Sequence, residues 1–351
     1  MKIIYTICGE GIGHAARSKA VLDHIFADHE IQILAGHRAY EYLKRHYAHV
    51  QRIASFRIAY WRNRVTSIGT FFLNLYFFPQ IIFSLVRTIL LIKKFKPDII
   101  IDDFSWVGGY AALFTKTHMV TIDNQHIITN TQQEEKKFLL DRLKSRIVIK
   151  WFVPRADKHL ITTFFNPKII KNNAILIPPL LRNEILDLHP RKGGYVFLYQ
   201  TSKTNKKLLQ ILKSLNVPCI VYGFDKSETD GSLIFKRSFQ QSFYEDLANS
   251  KAIVLNGGFT LITEALYLKK PILAFPVSHQ YEQILNAMEL KKLGYGEYYL
   301  KPSAEVIKTF MSKLSIYEEN LHRLTFDYQK PFRVIDAALK DTLKETKHEQ
   351  T

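Results

Sequence analysis

Apolar and polar residues alternate along the chain with two different periods. Short apolar runs of strand length, such as KIIYTI and IQILAG, are separated by longer stretches of helical period, such as HAARSKAVLDHIFA and YEYLKRHY. The alternation continues through PDIIIDD at 97–103, a predicted helix near 105–116 and HMVTID at 118–123. Strands that alternate with helices indicate a parallel sheet with crossover helices. The first half of the chain is therefore predicted to be an α/β domain.

The pattern is interrupted once and then restarts. Residues 177–194 collect prolines and glycines, which is typical of a domain junction. The strand YVFLYQ at 195–200 opens a second series, with helices predicted near 204–214, near 241–249 and after Gly258. A chain of 351 residues also exceeds the usual size of a single core. We predict two Rossmann-like, doubly wound parallel-sheet domains in series.

Composition narrows the class of protein. With 47% hydrophobic and 23% charged residues, the chain is typical of a globular protein. Its two cysteines, Cys8 and Cys219, are far apart, which argues against a disulfide framework or a cysteine metal site. The opening MKIIYTICGEG predicts a first strand rather than a signal peptide, so we expect a cytoplasmic protein. The net charge of +17 favours an anionic partner: a nucleotide, a nucleic acid or an acidic membrane surface.

The long apolar stretch at 66–92 allows three interpretations. It is long enough for a membrane span, but Pro79 and Arg87 interrupt it and strands are predicted on both sides, which favours a partly buried crossover helix. The third interpretation is a segment that dips into an anionic bilayer surface, because aromatic residues are flanked by cations. The aromatic residues are Phe71, Phe72, Tyr76, Phe77 and Phe78, and the cations are Arg57, Arg62, Arg64, Lys93 and Lys94.

The first glycine-rich loop, CGEGIGHAARS at 8–18, joins the first strand to the first helix. Backbone N–H groups at such a helix start can receive an anion or a polar ligand. The G-x-G-x-G spacing, and a second strand that ends QILAGH without an acidic residue, argue against NAD. The glycines alone also fit a tight turn with close helix packing. His14 either acts as a base, since imidazole titrates near neutral pH, or caps and packs the loop.

A second glycine loop follows the strand AIVL, which ends at Asn256. Gly257 and Gly258 allow the next backbone amides to approach two phosphates closely. Those amides belong to Gly258, Phe259 and Thr260. Glu264 comes one helical turn after Thr260, where its carboxylate can reach vicinal hydroxyls of a ribose, although a lone helix carboxylate is more often simply solvated.

Other polar side chains support one nucleotide-sugar ligand. The first strand of the second domain closes with Gln200, Thr201 and Ser202, whose hydroxyls can help to hold a diphosphate. The segment after PILAFP offers donors and acceptors for sugar hydroxyls from Glu282, Gln283 and Asn286.

At this point the sequence resembles a known family. The series N-G-G-F-T…E-A-L…P-I-L-A-F-P…E-Q…N-A resembles the donor-binding region of GT-B nucleotide-sugar glycosyltransferases, and G-E-G-I-G-H-A-A-R-S resembles their acceptor loop. The MurG-like branch, related to glycosyltransferase families 28 and 1, is most similar; some members carry segments like PDIIIDDF and TIDNQH. The resemblance implies a GT-B fold whose two domains, 1–178 and 195–325, face each other across a cleft that holds UDP-sugar. Residues 179–194 would link the two domains. Residues 326–351 would form a C-terminal helix that crosses back to the first domain and ends in a frayed tail.

The resemblance also implies roles for individual residues. Glu264 would bind the ribose, Glu282 and Gln283 the sugar hydroxyls, and backbone near Phe239 and Gln240 the uracil edge. The diphosphate would be bound by the loop Asn256, Gly257, Gly258, Phe259 and Thr260. The acceptor loop would include Gly11, Gly13 and Arg17. The catalytic base would be His14, with Asp103 and Glu10 as rivals.

These inferences give a functional hypothesis: an inverting glycosyltransferase that moves a sugar from UDP-sugar to a hydroxyl acceptor. Thr201, Ser202, Thr260 and the helix start would stabilise the leaving diphosphate, so no metal and no cofactor are expected. The apolar stretch at 66–92 and the basic run at 136–158 suggest a lipid-linked or cell-envelope glycan acceptor, met at the inner membrane face. Three alternatives remain open: a UDP-sugar 2-epimerase, a non-catalytic subunit, and a nucleic-acid-binding protein, although no nucleic-acid partner is expected.

Overall fold

The computed structural model describes residues 1–61, 63–133, 135–200, 205–237 and 241–350, with the side chains of 241 and 343–350 left out. The strands, numbered in chain order, are β1 Lys2–Ile7, β2 Glu30–Gly36, β3 Val50–Ile53, β4 Tyr60–Trp61, β5 Arg64–Val65, β6 Ile99–Asp103, β7 Met119–Asp123, β8 Lys158–Thr162, β9 Ala174–Ile177, β10 Val196–Tyr199, β11 Cys219–Tyr222, β12 Glu228–Asp230, β13 Leu233–Phe235, β14 Ala252–Leu255, β15 Ile272–Ala274 and β16 Gly296–Tyr298.

The helices are α1 Ile12–Ile25, α2 His37–Leu43, α3 Ser67–Phe95, α4 Trp106–Thr115, α5 Ile127–Asn130, α6 Leu139–Phe152, α7 Asn183–Leu186, α8 Lys206–Ser214, α9 Gln241–Ala248, α10 Phe259–Tyr267, α11 Tyr281–Lys292, α12 Ala304–Ser312, α13 Leu314–His322 and α14 Lys330–Gln350. The chain divides into two compact units. The first unit comprises Met1–Ala59, Ser67–Arg182 and Asp327–Thr351, and the second comprises Tyr60–Thr66 and Asn183–Phe326.

The first unit contains a seven-stranded parallel sheet in the order β3-β2-β1-β6-β7-β8-β9. Strands β1, β2 and β3 are added in sequence toward one edge of the sheet. The chain then returns to the other side of β1, and β6 to β9 are added in sequence toward the opposite edge. The direction of building therefore reverses between β1 and β6, which are hydrogen-bonded neighbours. In doubly wound sheets, ligands bind outside the carboxyl ends of the strands at such a switch point.

Alternating residues of the strands serve two cores, one on each face of this sheet. Ile3, Tyr5 and Ile7 of β1 face a core that also contains buried residues of α1, α2 and α14. Ile4 faces the opposite core, which is covered by α3, α4 and the end of α6. This period of two is the strand geometry that the apolar runs predict. Each fully buried aliphatic side chain stabilises the fold by roughly 1.5–3 kcal/mol.

The second unit repeats the doubly wound plan in the order β12-β13-β11-β10-β14-β15-β16, with only β12 and β13 antiparallel. Its switch point lies between β10 and β14. The small β4–β5 hairpin belongs to this unit, where Val65 N donates to Ser278 O at 3.1 Å and Ser278 N donates to Asn63 O at 3.0 Å. Residues 60–66 are therefore not part of the first compact unit, unlike the predicted span 1–178.

The apolar stretch predicted at 66–92 forms α3, a single helix of 29 residues with Pro79 inside it. Among the described residues, α3 is the one helix that length and composition would allow to cross a membrane. One stripe of α3, including Ile81 and Leu85, packs into the core of the first unit. The remaining surface of the helix is mostly exposed and apolar.

Candidate active site

Asp103 ends β6 at the switch point of the first sheet and is the centre of a buried polar network. Its carboxylate is fully buried and meets three side chains of α1. His14 Nδ1 lies 2.7 Å from Oδ1, Arg17 contacts both oxygens, through Nη2 at 2.5 Å and Nε at 3.1 Å, and Ser18 Oγ donates to Oδ2 at 3.0 Å. These four contacts occupy the acceptor positions of a carboxylate. Asp103 is thus enclosed by its partners rather than presented to a ligand.

His14 is the outermost member of this network. Its side chain is 11% exposed, whereas Asp103 is 0% exposed. A hydrogen bond from His14 Nδ1 to the Asp103 carboxylate belongs to the tautomer whose Nε2 keeps a lone pair, and Arg17 Nη2 lies 3.1 Å from the same Nδ1. A histidine oriented by a buried carboxylate in this way is arranged to take up a proton through Nε2. The geometry favours His14 over its predicted rival Asp103 as the proton acceptor.

The remaining residues of the predicted acceptor loop have different surroundings. Arg17 is 3% exposed and bound to Asp103, so its visible role is to position that carboxylate, and its place in the acceptor loop stays a prediction. Burial opposes its charge, but Asp103 raises the pKa of the guanidinium. Glu10 Oε2 accepts from Ile58 N at 3.4 Å. Gly11 has φ +88° and open space where a Cβ would lie, and Gly13 falls in the first turn of α1.

A second histidine–aspartate pair lies at the end of the next strand, and sequence reasoning missed it. Asp123 Oδ2 accepts from His126 Nδ1 at 2.6 Å, and the His126 ring lies 4.2 Å from the His159 ring. Burial opposes ionisation of Asp123, yet His126 and Arg17 lower its pKa to about 2. Burial, helped by His126, lowers the pKa of His159 to about 3. The segment TIDNQH had been noted only for its resemblance.

Phe104 separates the two histidine pairs. Its ring centroid lies 6.4 Å from that of His14 and 6.3 Å from that of His126, and it stacks on Phe152 at 5.1 Å. With φ 53°, Phe104 occupies the left-handed region that bulky residues rarely adopt. Strained backbone of this kind clusters at functional sites. No pattern in the sequence marks this conformation, because Phe104 carries neither a charge nor a turn propensity.

In the second unit, Asn256 joins the carboxyl ends of three neighbouring strands. Its Nδ2 lies 3.2 Å from Gln200 Oε1, which follows β10, and 3.1 Å from Phe275 O, which follows β15. It also lies 3.4 Å from Asn63 Oδ1 of the hairpin segment. Asn256 is 1% exposed. Its visible role is to position the loop that follows β14. A direct contact between Asn256 and the nucleotide-sugar substrate stays a prediction.

Gly257 and Gly258 have different conformational requirements. Gly257 has φ +96°, and an added Cβ would lie 2.8 Å from Gln283 O, so the loop needs glycine here for two reasons. Gly258 has φ −65° and precedes α10, with open space where its Cβ would be. Glycine offers no side-chain cap to the first-turn amides of Phe259 and Thr260. The N-terminus of α10 therefore presents backbone N–H groups without a capping side chain, which is the arrangement of anion sites at helix starts.

The predicted sugar and ribose contacts are more buried than expected. Glu264 is 1% exposed, on the inner side of α10 rather than on an open face. Gln283 is 4% exposed and its Oε1 accepts from Val277 N at 3.0 Å. Asn286 is fully buried and donates to Gly257 O at 3.2 Å. Asn286 therefore holds the glycine loop in place and Gln283 holds the backbone at Val277, whereas Glu282 is only partly buried.

Four predicted donor residues, Thr201, Ser202, Phe239 and Gln240, lie outside the described residues. Across the described ranges, no group of three or more His, Cys, Asp or Glu side chains is placed to hold a metal ion. Asp102, beside Asp103, is fully buried instead: it accepts from Thr6 Oγ1 at 2.5 Å and from Ser105 N at 3.0 Å. Burial raises its pKa well above the usual value.

Known proteins are similar to this chain over most of its length. An uncharacterized glycosyltransferase of Methanosarcina acetivorans is 25% identical over 326 residues, which span 84% of this chain and 85% of the relative. A UDP-N-acetylglucosamine--N-acetylmuramyl-(pentapeptide) pyrophosphoryl-undecaprenol N-acetylglucosamine transferase of Clostridium botulinum is 35% identical over 260 residues, or 66% of this chain and 68% of the relative.

The fold and the family agree with the sequence expectation. The structure of Phytolacca americana UGT2 with UDP-2fluoro-glucose and pterostilbene superimposes with a TM-score of 0.66 at 12% identity, covering 97% of this chain and 98% of that one. The predicted GT-B fold, with parallel sheets in two domains, is confirmed. The sequence profile of glycosyl transferase family 1 matches residues 1–315. The chain belongs to glycosyl transferase family 1 and is a glycosyltransferase.

Proposed function

We propose that this enzyme transfers a sugar from UDP-sugar to a hydroxyl group of a lipid-linked or cell-envelope acceptor, with inversion at the anomeric carbon and without a metal ion or cofactor. The observation that carries the proposal is the 2.7 Å contact between His14 Nδ1 and the buried Asp103, at the switch point of the first sheet. A base held in this way suits the activation of a hydroxyl nucleophile.

In the proposed reaction, His14 Nε2 removes the proton of the acceptor hydroxyl as that oxygen attacks the anomeric carbon. The new glycosidic bond forms while the bond to the UDP oxygen breaks, so UDP leaves and the configuration inverts. The imidazolium that forms is stabilised by Asp103, which keeps its negative charge. The enclosure of Asp103 by Arg17 and Ser18 argues against its use as a covalent nucleophile.

The second unit would bind the donor. The start of α10, with Gly258 at its tip, is suited to the diphosphate, whose charge grows as the bond to the sugar breaks. Glu264 would accept hydrogen bonds from the ribose hydroxyls, and Glu282 from the transferred sugar. Thr201 and Ser202, which follow β10 in sequence, would complete the phosphate contacts. The N–H groups at the start of α10 and the two hydroxyl groups would together stabilise the charge of the leaving UDP, as a metal ion can do in other transferases.

The printed names of two similar proteins support the choice of substrates. The Clostridium botulinum relative is named for a UDP-linked donor and an undecaprenol-linked acceptor, and the Phytolacca americana structure contains UDP-2fluoro-glucose. The aromatic ring of Phe104 beside His14, with Phe152 stacked on it, suits an acceptor that has an apolar part. We also propose that the enzyme works in the cytoplasm, at the inner face of the membrane.

The test is a transfer assay with purified protein in the presence of EDTA. UDP-, GDP- and dTDP-sugars are each offered with an alkyl glycoside and with a polyprenyl-pyrophosphate-linked sugar, and release of nucleotide and the anomeric configuration of product are measured. The proposal expects UDP release that depends on the acceptor and an inverted product. UDP release without acceptor, together with an epimerised sugar, would instead identify a 2-epimerase. A retained configuration or a requirement for metal would refute the mechanism.

A further inference from the structure

The second unit contains a short segment whose neighbours in sequence belong to the first unit. Residues 60–66, which carry the β4–β5 hairpin, lie between Met1–Ala59 and Ser67–Arg182 in sequence, yet they pack with the second unit. The base of this excursion is closed where Ala59 N donates to Thr70 Oγ1 at 3.1 Å. Neither strand of the hairpin has a buried side chain, so core packing does not explain the excursion.

The hairpin binds one loop of the second unit through its backbone. Arg64 and Ser278 form a parallel bridge, in which Ser278 N donates to Asn63 O at 3.0 Å and Val65 N donates to Ser278 O at 3.1 Å. Ser278 lies in the segment 275–280 that joins β15 to α11, called the β15–α11 loop below. The hairpin thus satisfies both the N–H and the C=O group of Ser278.

The β15–α11 loop is also held by the start of α11. Gln283 Oε1 accepts from Val277 N at 3.0 Å, and Gln280 N donates to Val277 O at 3.1 Å. In the same loop His279 has φ 66°, in the left-handed region that residues other than glycine seldom adopt. A conformation of this kind persists only where surrounding contacts impose it. The hairpin and α11 therefore fix the shape of the β15–α11 loop together.

The loop held in this way leads into the residue proposed to bind the transferred sugar. Glu282 lies in the first turn of α11, shortly after Ser278. The hairpin also reaches the glycine loop, since Asn63 Oδ1 lies 3.4 Å from Asn256 Nδ2. The hairpin therefore contacts both loops that border the proposed donor site, and its shorter hydrogen bonds are those to the β15–α11 loop.

We propose that the β4–β5 hairpin is a positioning element for the sugar of the donor. By holding Ser278, the hairpin sets the β15–α11 loop and the start of α11 in the arrangement that binds the transferred sugar. The hairpin acts through this loop and needs no contact of its own with the sugar. The inference rests on the proposed function, which assigns the sugar to Glu282. Since UDP is assigned to the start of α10, the hairpin should affect binding of the sugar far more than binding of UDP.

The experiment is calorimetric titration of the full chain with UDP, UDP-glucose and UDP-N-acetylglucosamine in the absence of acceptor. Val65→Pro removes the N–H that binds Ser278 O. The affinity for the better-bound UDP-sugar should fall by about three- to tenfold, as expected for a lost hydrogen bond, while the affinity for UDP stays within about twofold. Val65→Ala keeps the N–H and is the matched control, which should bind all three like the unmodified chain. Equal loss in both variants, or equal loss for UDP and UDP-sugar, would overturn the proposal.

Hydrogen exchange of the unmodified chain tests the proposal without a variant, in case circular dichroism shows that Val65→Pro does not fold. UDP-sugar should slow amide exchange in peptides that contain 60–66 and 277–280, and UDP alone should not. Peptides of the β12–β13 hairpin, 228–235, are the reference within the second unit. Unchanged exchange at 60–66, or an equal response to UDP, would refute the inference. Failure of the unmodified chain to bind UDP would overturn the proposed function together with this inference, so the two failures are distinguishable.

Discussion

In the first unit the strand ends at the switch point carry ionisable side chains, whereas in the second unit they carry amides and glycines. Asp103 is surrounded by His14 and Arg17, so the polar groups of the first edge are joined by hydrogen bonds between ionisable side chains. Asn256 links Gln200 to the end of β15 through neutral hydrogen bonds, and Gly258 leaves open space at a helix start. This difference between two sheets of the same plan is consistent with the proposed division of tasks, with proton transfer at the first edge and anion binding at the second.

Removing the imidazole should have the largest effect. We expect His14→Ala to lower turnover by about 10²–10⁴-fold, the usual contribution of a positioned general base, with UDP affinity unchanged. His24→Ala is a matched control, because His24 lies on the same helix and pairs with Asp336 at 2.9 Å, but on the surface. Steady-state kinetics and UDP titration measure the two quantities. Equal losses in both variants would end the assignment of His14 as the base.

Neutralising Glu264 tests the other side of the comparison. Glu264→Gln keeps the volume of the buried side chain but removes its charge, so UDP affinity should fall by about 1–3 kcal/mol, the loss expected for a charged hydrogen-bond partner. Glu305→Gln, at the exposed start of α12, is the control. Calorimetric titration gives both affinities, and thermal melts check the fold. An unchanged affinity would remove Glu264 from the donor site and leave it a structural role.

The ionisable edge should also make stability depend on pH. Burial, with His126, lowers the pKa of His159 to about 3 in the folded chain. Between about pH 6.5 and 3, the unfolded chain binds a proton at this residue and the folded chain does not. Stability should therefore fall as the pH falls through this window, by up to about 1.4 kcal/mol per pH unit from this residue. Urea unfolding at pH 7 and pH 5 should show a smaller loss for His159→Gln than for the unmodified chain.

The control for that comparison is His189→Gln, which changes an exposed histidine. It should lose as much stability between pH 7 and pH 5 as the unmodified chain. If His159→Gln and His189→Gln behave alike, His159 is not the source of the pH dependence.

The smallest expected effect separates two adjacent glycines. Gly257→Ala should destabilise the fold by about 1–2 kcal/mol, because φ +96° is unfavourable for an L-residue and the new Cβ would press on Gln283 O. Gly258→Ala should leave stability unchanged, since its φ is −65° and its Cβ would meet open space. Chemical denaturation measures both. Similar destabilisation by the two changes would show that the loop is not held as the structure has it.

Much of the fold follows from periodicity, because the strands alternate faces and the helices repeat every third or fourth residue. The strands ending at Asp103 and Leu255 and the helix after Gly258 are found where the apolar pattern predicts them. The hairpin at 60–66 could not be assigned to the second unit, since its hydrogen bonds to Ser278 join positions more than two hundred residues apart. Local sequence carries no information on such a contact.

The candidate site was predictable in its residue types but not in their connections. His14 and Asp103 were identified as rival bases, yet the structure makes them partners because β1 and β6 are neighbours in the sheet. Arg17 was predicted in the acceptor loop, and its guanidinium contacts Asp103 because the same two strands are adjacent. The burial of Glu264 and Gln283 depends on how α10 and α11 pack, which helix periodicity leaves open.

The placement of α14 has a consequence for how the chain is made. Its Ile335, Ala338 and Leu339 complete the same core as Ile3 and Tyr5, and His24 of α1 binds Asp336. During synthesis, β1 therefore cannot complete its packing until α14 leaves the ribosome, after the whole second unit has emerged. A chain truncated after Phe326 should contain a folded second unit and a first unit whose apolar core is exposed where α14 would pack. Such exposed apolar surface is a target for chaperones and proteases. The core around β1 can therefore be completed only after α14 has been synthesised.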